Sequence, residues 1–519
     1  MTKSILTHQG IFSVLAIGII SLVFFPFATT SAMAQTAEPP TIQTAPINPE
    51  FLRFQEEYQR GEYFPWNDLG HYLGYIPAPM DLSHLKGQKI FSEDEYFSFP
   101  ATYDLRTYGR ITAVRNQGTC GSCWAFASYG ALESTLLTKE TWDFSEMNLK
   151  NTHGFDYTCC YGGNHFMSSA YFARWSGPWN ETDDPYANSC TSTTGKVVQK
   201  HIQDAIFIPD RASYTSNDDI KQALMTYGAV YTCFYMDETN YYSPTYHSYY
   251  YNGSSGTDHC VTIAGWDDNF DKTHFKVAAP GNGAFLIKNS WGTSWGASGY
   301  FYISYYDTQL SQFVVFFGEP TVNYDAIYQY DPLGWVSGVG YGGNTGWFAN
   351  IFTAGATQNL VAVSFHISMP SSPYEIYIYK DVTSGPRTGT LAGSKTGTIT
   401  TPGYHTILLN APISLTSSQK FSAVVKLTTP GDTYPIPYEC AYSGYSSGAT
   451  AAAGQSYFSP DGSSWQDITT WDSTANVCVK AFASTTVAME VPRNSVKISK
   501  SGATQIKVAW GATCGTAAN

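Results

Sequence analysis

An α+β region followed by an all-β sandwich is the architecture this sequence predicts, and three observations carry it. The first is an apolar, helix-like run that opens at Cys123 and continues through Ala127, Ala131 and Leu132. The second is a change after about residue 205 to strand-like stretches: Gly228-Ala-Val-Tyr-Thr-Cys-Phe-Tyr, Cys260-Val-Thr-Ile-Ala-Gly-Trp and Gly283-Ala-Phe-Leu-Ile-Lys-Asn. The third is a succession of short alternating segments from about 320 to 484, with turn residues between them and no good helix. Val361-Ala-Val-Ser-Phe-His-Ile, Tyr374-Glu-Ile-Tyr-Ile-Tyr, Tyr404-His-Thr-Ile-Leu-Leu and Phe421-Ser-Ala-Val-Val-Lys-Leu are the clearest of these.

The 519 residues exceed what one core organises and imply two or three domains. Aromatic residues make up 16% and charged residues only 13%, which with abundant Tyr, Gly, Ser and Thr favours a β-rich extracellular protein. A net charge of −13 argues against nucleic acid, whose binding needs basic patches. The acidity does not identify a substrate, because it also simply keeps a protein soluble.

Residues 1–35 read as an export signal. Lys3 precedes the 17-residue apolar run Ile11–Phe27, and Ala32-Met33-Ala34 supplies a small-x-small cleavage pattern before Gln35. The alternative is a retained anchor, and the cleavage pattern favours removal. In both cases the remainder faces an oxidising exterior, so a secreted or cell-surface location is expected. No later segment is long and apolar enough to predict a C-terminal anchor, so no membrane span is expected after signal removal.

Residues 36–97 form a leader. It begins with a Pro/Thr/Ala-rich stretch that cannot fold alone. Phe51-Leu-Arg-Phe-Gln-Glu-Glu-Tyr then suits a short amphipathic helix, and the prolines of Tyr75-Ile-Pro-Ala-Pro-Met-Asp-Leu favour extended chain. Residues 98–318 hold the α+β region and 319–484 the sandwich. Residues 485–519 are a linker or the start of a further module.

The chemistry concentrates in Gln117-Gly-Thr-Cys120-Gly-Ser-Cys123-Trp-Ala-Phe, Asp258-His259-Cys260 and Lys288-Asn289-Ser290-Trp291-Gly292. These supply a thiol nucleophile, a base, a group to orient the base and an oxyanion donor. His259 lies 136 residues after Cys123 (259 − 123) and Asn289 lies 166 after it (289 − 123). On these motifs residues 98–310 resemble the papain family of cysteine peptidases. The resemblance implies a two-lobed fold, a helical lobe plus a β-barrel-like lobe, with the active site between them. It also implies a protein or peptide substrate cleaved through an acyl-enzyme on Cys123, without metal or cofactor. The sandwich resembles, more weakly, the lectin-like domain that follows papain-type domains in some surface proteins, which leaves a surface carbohydrate as a second partner.

A helix N-terminus and a neighbouring imidazolium both favour the Cys123 thiolate, and Ser122 stands where it can cap that helix. The resemblance assigns His259 as base and acid, Asn289 as the group that orients it, and Gln117 with the Cys123 N–H as oxyanion donors. It places Trp291 over the His–Asn hydrogen bond and makes Gly162 and Gly163 the strip on which a substrate backbone pairs. Asn164 and His165 follow where the family commonly lines its specificity pocket. For His165 a loop residue with an ordinary environment is the favoured reading over a specificity role. Asp258 either tunes the Cys–His pair or the pocket, or is a solvated loop aspartate.

In the family the cysteine three before the nucleophile pairs with that of a Cys-x-Gly-Gly loop, which implies Cys120–Cys160, a bridge worth about 4 kcal/mol in the chain-entropy model. Cys159–Cys190 is implied less directly, because the family's first cysteine usually stands where this chain has His153. Cys233 and Cys260 are either buried thiols or a pair, Cys440 and Cys478 can pair inside the sandwich, and Cys514 is left over. No His/Cys set has zinc-ligand spacing. Two rival functions remain: a silent adhesin that binds through the sandwich, and a thiol–disulfide oxidoreductase using Cys120 and Cys123. Tyr-rich residues 241–251 suit a cleft wall, and Trp465 and Trp471 suit core as well as sugar stacking.

Overall fold

The run at Cys123 forms the helix Cys123–Leu136, and all 14 of its residues are buried. A helix buried on every side belongs at a centre rather than on a surface. This one lies between the helical lobe and the strands Val230–Phe234, His259–Asp267 and Ser311–Pro320. Gly130 lets it come close: a Cβ there would stand 2.6 Å from the Thr262 hydroxyl. Two further helices complete the lobe, Glu146–Thr152 capped by the Ser145 hydroxyl and His165–Ala173 capped by the Asn164 side chain. This computed structural model describes residues 41–157, 159–485, 496–500 and 506–510. The expected signal at 1–35 and Cys514 lie outside them, as does most of 485–519.

The strand-like stretches form one sheet that runs past the expected domain border. Lys200–Ile208, Ser311–Pro320, Val230–Phe234, His259–Asp267, Ala284–Lys288 and Tyr300–Ser304 are neighbours in that order. On the far side of Lys200–Ile208 lies Gly403–Leu415 of the sandwich, with Gly403, Tyr404 and His405 opposite Ile206, Ala205 and Asp204. Gln358–Ile367, Val479–Ser484 and Ala326–Tyr328 extend the same sheet, which has 13 strands among the described residues. The second layer of the sandwich is a six-stranded sheet.

The junction is tightly fitted. Gly403 has a φ of +128°, and a Cβ there would stand 2.0 Å from the Ala205 carbonyl oxygen. Beside it the His405 Nδ1 lies 3.1 Å from Asp204 Oδ1, both side chains being almost fully buried. The Thr406 hydroxyl donates to the Gln203 carbonyl at 2.7 Å.

The leader is folded on both regions. Gln43–Thr44 pairs with the sandwich strand Ser337–Gly340, so these two residues take their strand conformation from a partner. The helix Pro49–Gln59 carries Phe51 against Tyr442 and Tyr445 of the sandwich and Phe54 against Tyr63 and Tyr157.

Three disulfides are described: Cys120–Cys160, Cys159–Cys190 and Cys233–Cys260. The pairing open to Cys440 and Cys478 is not made, and both are buried free thiols. Tyr438 stands opposite Val477 and Glu439 opposite Asn476 in antiparallel register. That register sets Cys440 and Cys478 at opposite ends of the pairing, about three residues or 10 Å apart along the strands, beyond the reach of a disulfide.

Shared strands predict shared unfolding. Calorimetry is expected to show one transition spanning both regions, and two separated peaks would show that the junction does not couple them. Gly403→Ala, which forces its Cβ onto a carbonyl, is expected to cost about 2 kcal/mol or more in urea unfolding.

Candidate active site

Cys123 opens its helix, His259 opens the strand His259–Asp267, and Asn289 directly follows the strand Ala284–Lys288. The two strands are neighbours, and Asn289 Oδ1 lies 2.9 Å from His259 Nε2. Asn289 Oδ1 also accepts from the Ser290 N–H at 2.8 Å, so it is an acceptor and His259 Nε2 carries the proton toward it. Nδ1 is buried and has no hydrogen-bond partner, which leaves it as the ring nitrogen available to the thiol. Trp291 stacks on the His259 ring with centroids 4.8 Å apart.

The Cys123 sulfur accepts from the backbone N–H of Cys260 at 3.3 Å. That contact joins the sulfur to the strand that carries the base. Ser122 does not cap the helix with its side chain. Its hydroxyl bonds instead with the Tyr186 hydroxyl at 2.7 Å and the Cys120 carbonyl. The first-turn N–H groups therefore keep their partial positive charge for the thiol.

Gln117 is fully buried. Its Oε1 accepts from the Ser290 hydroxyl at 2.6 Å, which turns Nε2 toward the cleft. Nε2 donates to the Cys120 carbonyl at 2.9 Å and to the carbonyl of leader residue Leu73 at 3.0 Å.

The leader occupies the cleft. Ile76 N–H donates to the Gly163 carbonyl and Gly163 N–H donates to the Gly74 carbonyl, both at 3.0 Å, in parallel pairing. Asn164 donates its side-chain amide to the Ile76 carbonyl at 2.9 Å. Opposite, the Asp258 carbonyl accepts from Gly74 and Tyr75 N–H. A Cβ on Gly162 would stand 2.7 Å from the Gly74 carbonyl oxygen. The Trp291 indole donates to the Tyr72 carbonyl at 2.9 Å, and His71 stacks on the face of Trp291.

This cover changes the electrostatics. Loss of water pushes the Cys123 thiol up and the His259 imidazole down to about 4. Both shifts disfavour the charged forms, so the cover works against a thiolate–imidazolium pair. Asp258 is a half-buried loop residue rather than a freely solvated one: its Oδ1 accepts from Met236 N–H at 2.8 Å, and desolvation raises its carboxyl well above the usual range. His165 is no loop residue. It begins a helix, packs against Phe166, Phe207 and Tyr231, and burial lowers its imidazole to about 3.

Sequence reasoning missed the Cys260 N–H, which has no residue signature because any residue but proline supplies it. It also missed Glu238, which receives the Trp295 indole at 2.8 Å and, from the leader, the Asn67 amide at 2.9 Å and the His71 ring at 2.6 Å. The Cys–x–x–Cys pair is divided, since Cys120 is bonded to Cys160 while Cys123 is free.

A family model for papain family cysteine proteases matches residues 99–314, and one for a lectin like domain matches 327–483. Residues 99–314 form a papain-like catalytic domain, followed by a β-rich lectin-like domain. A cysteine protease of Blomia tropicalis is 30% identical over 221 residues, 40% of this chain and 62% of that protein. Rat procathepsin L is 30% identical over 233 residues, 43% of this chain and 65% of the relative. The chain thus spans less than two thirds of these curated relatives. The crystal structure of the cysteine protease and lectin-like domains of Cwp84, a surface layer associated protein of Clostridium difficile, covers more. It aligns with 86% of this chain and 98% of its own at a TM-score of 0.70 and 25% identity. A structure of the Clostridial cysteine protease Cwp84 after propeptide cleavage aligns with 74% of this chain, at a TM-score of 0.64 and 25% identity. Both matched domains are therefore present in one solved relative in the same order.

Among the described residues no group of three His, Cys, Asp or Glu is placed to hold a metal ion, and no helix is long and apolar enough to cross a membrane. Gln117→Ala is expected to lower kcat/KM on a peptide substrate of the leader-free protein by about 10²–10³. Active-site titration with a thiol-directed epoxide would check that the sites counted are intact.

Proposed function

We propose that this chain is an exported cysteine peptidase that hydrolyses peptide bonds through an acyl-enzyme on Cys123 and is held inactive by residues 41–97. The observation that carries the reading is the Gln117 amide, which already holds a peptide carbonyl, that of Leu73, in the cleft beside Cys123. An oxyanion donor presented with a carbonyl is the arrangement acyl transfer requires.

The steps follow from the geometry. With the leader gone, water returns, the thiol falls and the imidazole rises, and the proton passes from Cys123 to His259 Nδ1. The thiolate attacks a substrate carbonyl, and negative charge develops on oxygen beside Gln117 Nε2 and the Cys123 N–H. His259 then gives its proton to the amine as the C–N bond breaks. Water, deprotonated by His259, cleaves the thioester. Asn289 keeps the ring oriented throughout.

Polarity explains how a peptide in the cleft inhibits. His259 must reach the leaving amine, so the leaving part of a substrate lies on the Trp291 side and the acyl part on the Gly162–Gly163 strip. A substrate therefore runs from strip to Trp291. The leader runs the other way, with Tyr72 at Trp291 and Ile76 at Gly163. Its amide nitrogens are turned from the position His259 serves, so it binds without presenting a bond that can be cut.

The leader reading is supported further by the two Cwp84 structures, of which the one after propeptide cleavage aligns with a smaller share of this chain. Export is supported by three disulfides, which need an oxidising compartment, and by the surface-layer association of Cwp84. The lectin-like sandwich fits a role in holding the enzyme at a carbohydrate-bearing surface. The divided Cys–x–x–Cys pair removes the basis of the oxidoreductase reading.

A peptidyl epoxide is expected to alkylate Cys123 in protein trimmed before Phe99, dependent on His259, and to leave the full chain about 10² slower to react. Failure of the trimmed, folded protein to react would sink the peptidase reading. Gly74→Ala should loosen the leader, because its Cβ would stand 2.4 Å from the Gly121 backbone at a φ of +129°. The expected result is faster labelling of Cys123 in the full chain, and an unchanged rate would show that Gly74 does not hold the cover.

A further inference from the structure

Glu238 lies on the side of the cleft where the leaving part of a substrate passes. Its neighbour Trp295 packs edge-on to Trp291 with centroids 5.0 Å apart, and Trp291 stacks on His259. The Glu238 side chain is only 7% exposed. One oxygen, Oε1, is fixed by the Trp295 indole of the same domain, while the other, Oε2, is used by the leader alone, through Asn67 Nδ2 and His71 Nδ1. Burial by itself would raise this carboxyl, but the bonds from His71, Trp295 and Asn67 bring it below the usual value. Removal of the leader takes away both donors to Oε2 and leaves Trp295 to hold the carboxylate in place.

We propose that Glu238 selects a basic side chain in the substrate segment that departs with the amine, in the place where the leader sets His71. The inference rests on the peptidase reading above and on departure of the leader. A carboxylate held by one indole and left with an unfilled oxygen is an acceptor waiting for a charged donor. Lysine and arginine supply that donor on a stem long enough to lie along Trp291, as His71 does with its ring 4.6 Å from the indole.

The surroundings agree in sign. A groove of about 620 Å³ opens between leader and domain next to Asn67, which lines it. The domain side contributes Asp237 and Asp258 and no Lys, Arg or His, and the cation in the groove is Arg53 of the leader.

The test uses leader-free protein and internally quenched peptides that share one acyl side and carry Lys, Arg, Leu or Glu at the first two positions after the scissile bond. A peptidyl coumarin amide with the same acyl side, which has no peptide on the leaving side, runs in parallel. The expected result is a kcat/KM for Lys or Arg at least about 10-fold above that for Glu at low salt, shrinking as salt rises. The ratio should fall toward unity in Glu238→Gln, which keeps an oxygen for Trp295, and invert in Glu238→Lys. Because each ratio is taken within one protein, a general loss of activity in a variant cancels, and the unsubstituted protein alone can refute the idea. Hydrolysis of the coumarin amide with no basic preference, or a preference that survives Glu238→Gln, overturns the role of Glu238 and leaves the peptidase reading standing. No hydrolysis of either substrate together with an unreactive Cys123 overturns the peptidase reading itself.

Discussion

Close packing of the Cys123–Leu136 helix on the His259–Asp267 strand governs everything else in this protein. The nucleophile belongs to one lobe and the base to the other, so their relation is only as fixed as the contact between the two elements. Gly130 against Thr262 brings helix and strand together, and the Cys260 N–H reaches from the strand to the sulfur itself. The Cys233–Cys260 bond then ties that strand to its neighbour at the position next to the base. A wholly buried helix costs its polar ends their solvent, and here the N-terminal end regains a partner in the thiol.

The same packing makes the cleft a place where a covering segment has large effect. A solvated thiol at a helix start, beside an imidazole, favours the charged pair. Exclusion of water reverses that preference, and the Cys123 and His259 shifts move in opposite directions for one reason, the cost of charge in an apolar site. On the proposed reading the leader acts twice, by filling the cleft in reversed polarity and by disfavouring charge on the two reacting groups. Its hold extends beyond the cleft, because Gln43–Thr44 and Phe51 are anchored on the sandwich. The sandwich therefore contributes to the covered state, which a purely carbohydrate-binding appendage would not do.

Legibility in the sequence followed locality. Gln117, Cys123, His259 and Asn289 were readable because acyl transfer demands particular side chains, and the short motifs around them fix which residue stands where. The succession of short strands from 320 to 484 was readable because turn residues punctuate alternating runs. What lay hidden depends on distant partners. The Ser122 hydroxyl is diverted by Tyr186, Asp258 is drawn inward by a Met236 N–H, and Cys440 misses Cys478 by the register of two short strands. The continuous sheet was hidden for the same reason: Gly403 reads as a turn residue until Ala205 is seen against it.

Glu238 shows this limit most clearly. In the sequence it is one carboxylate among 41 acidic residues, three positions before the Tyr-rich stretch 241–251 that reads as cleft wall. Its significance comes from three donors, one 57 residues away in the chain and two in the leader, 167 and 171 residues away. A leader that fills a cleft also samples it, because each of its side chains has to satisfy the polar group it covers. Unsatisfied polar groups are costly when buried, so a carboxylate that the covering segment answers with an imidazole and an amide imposes the same demand on whatever peptide replaces that segment. The leader's own side chains are in this sense a record of the chemistry that the cleft accepts.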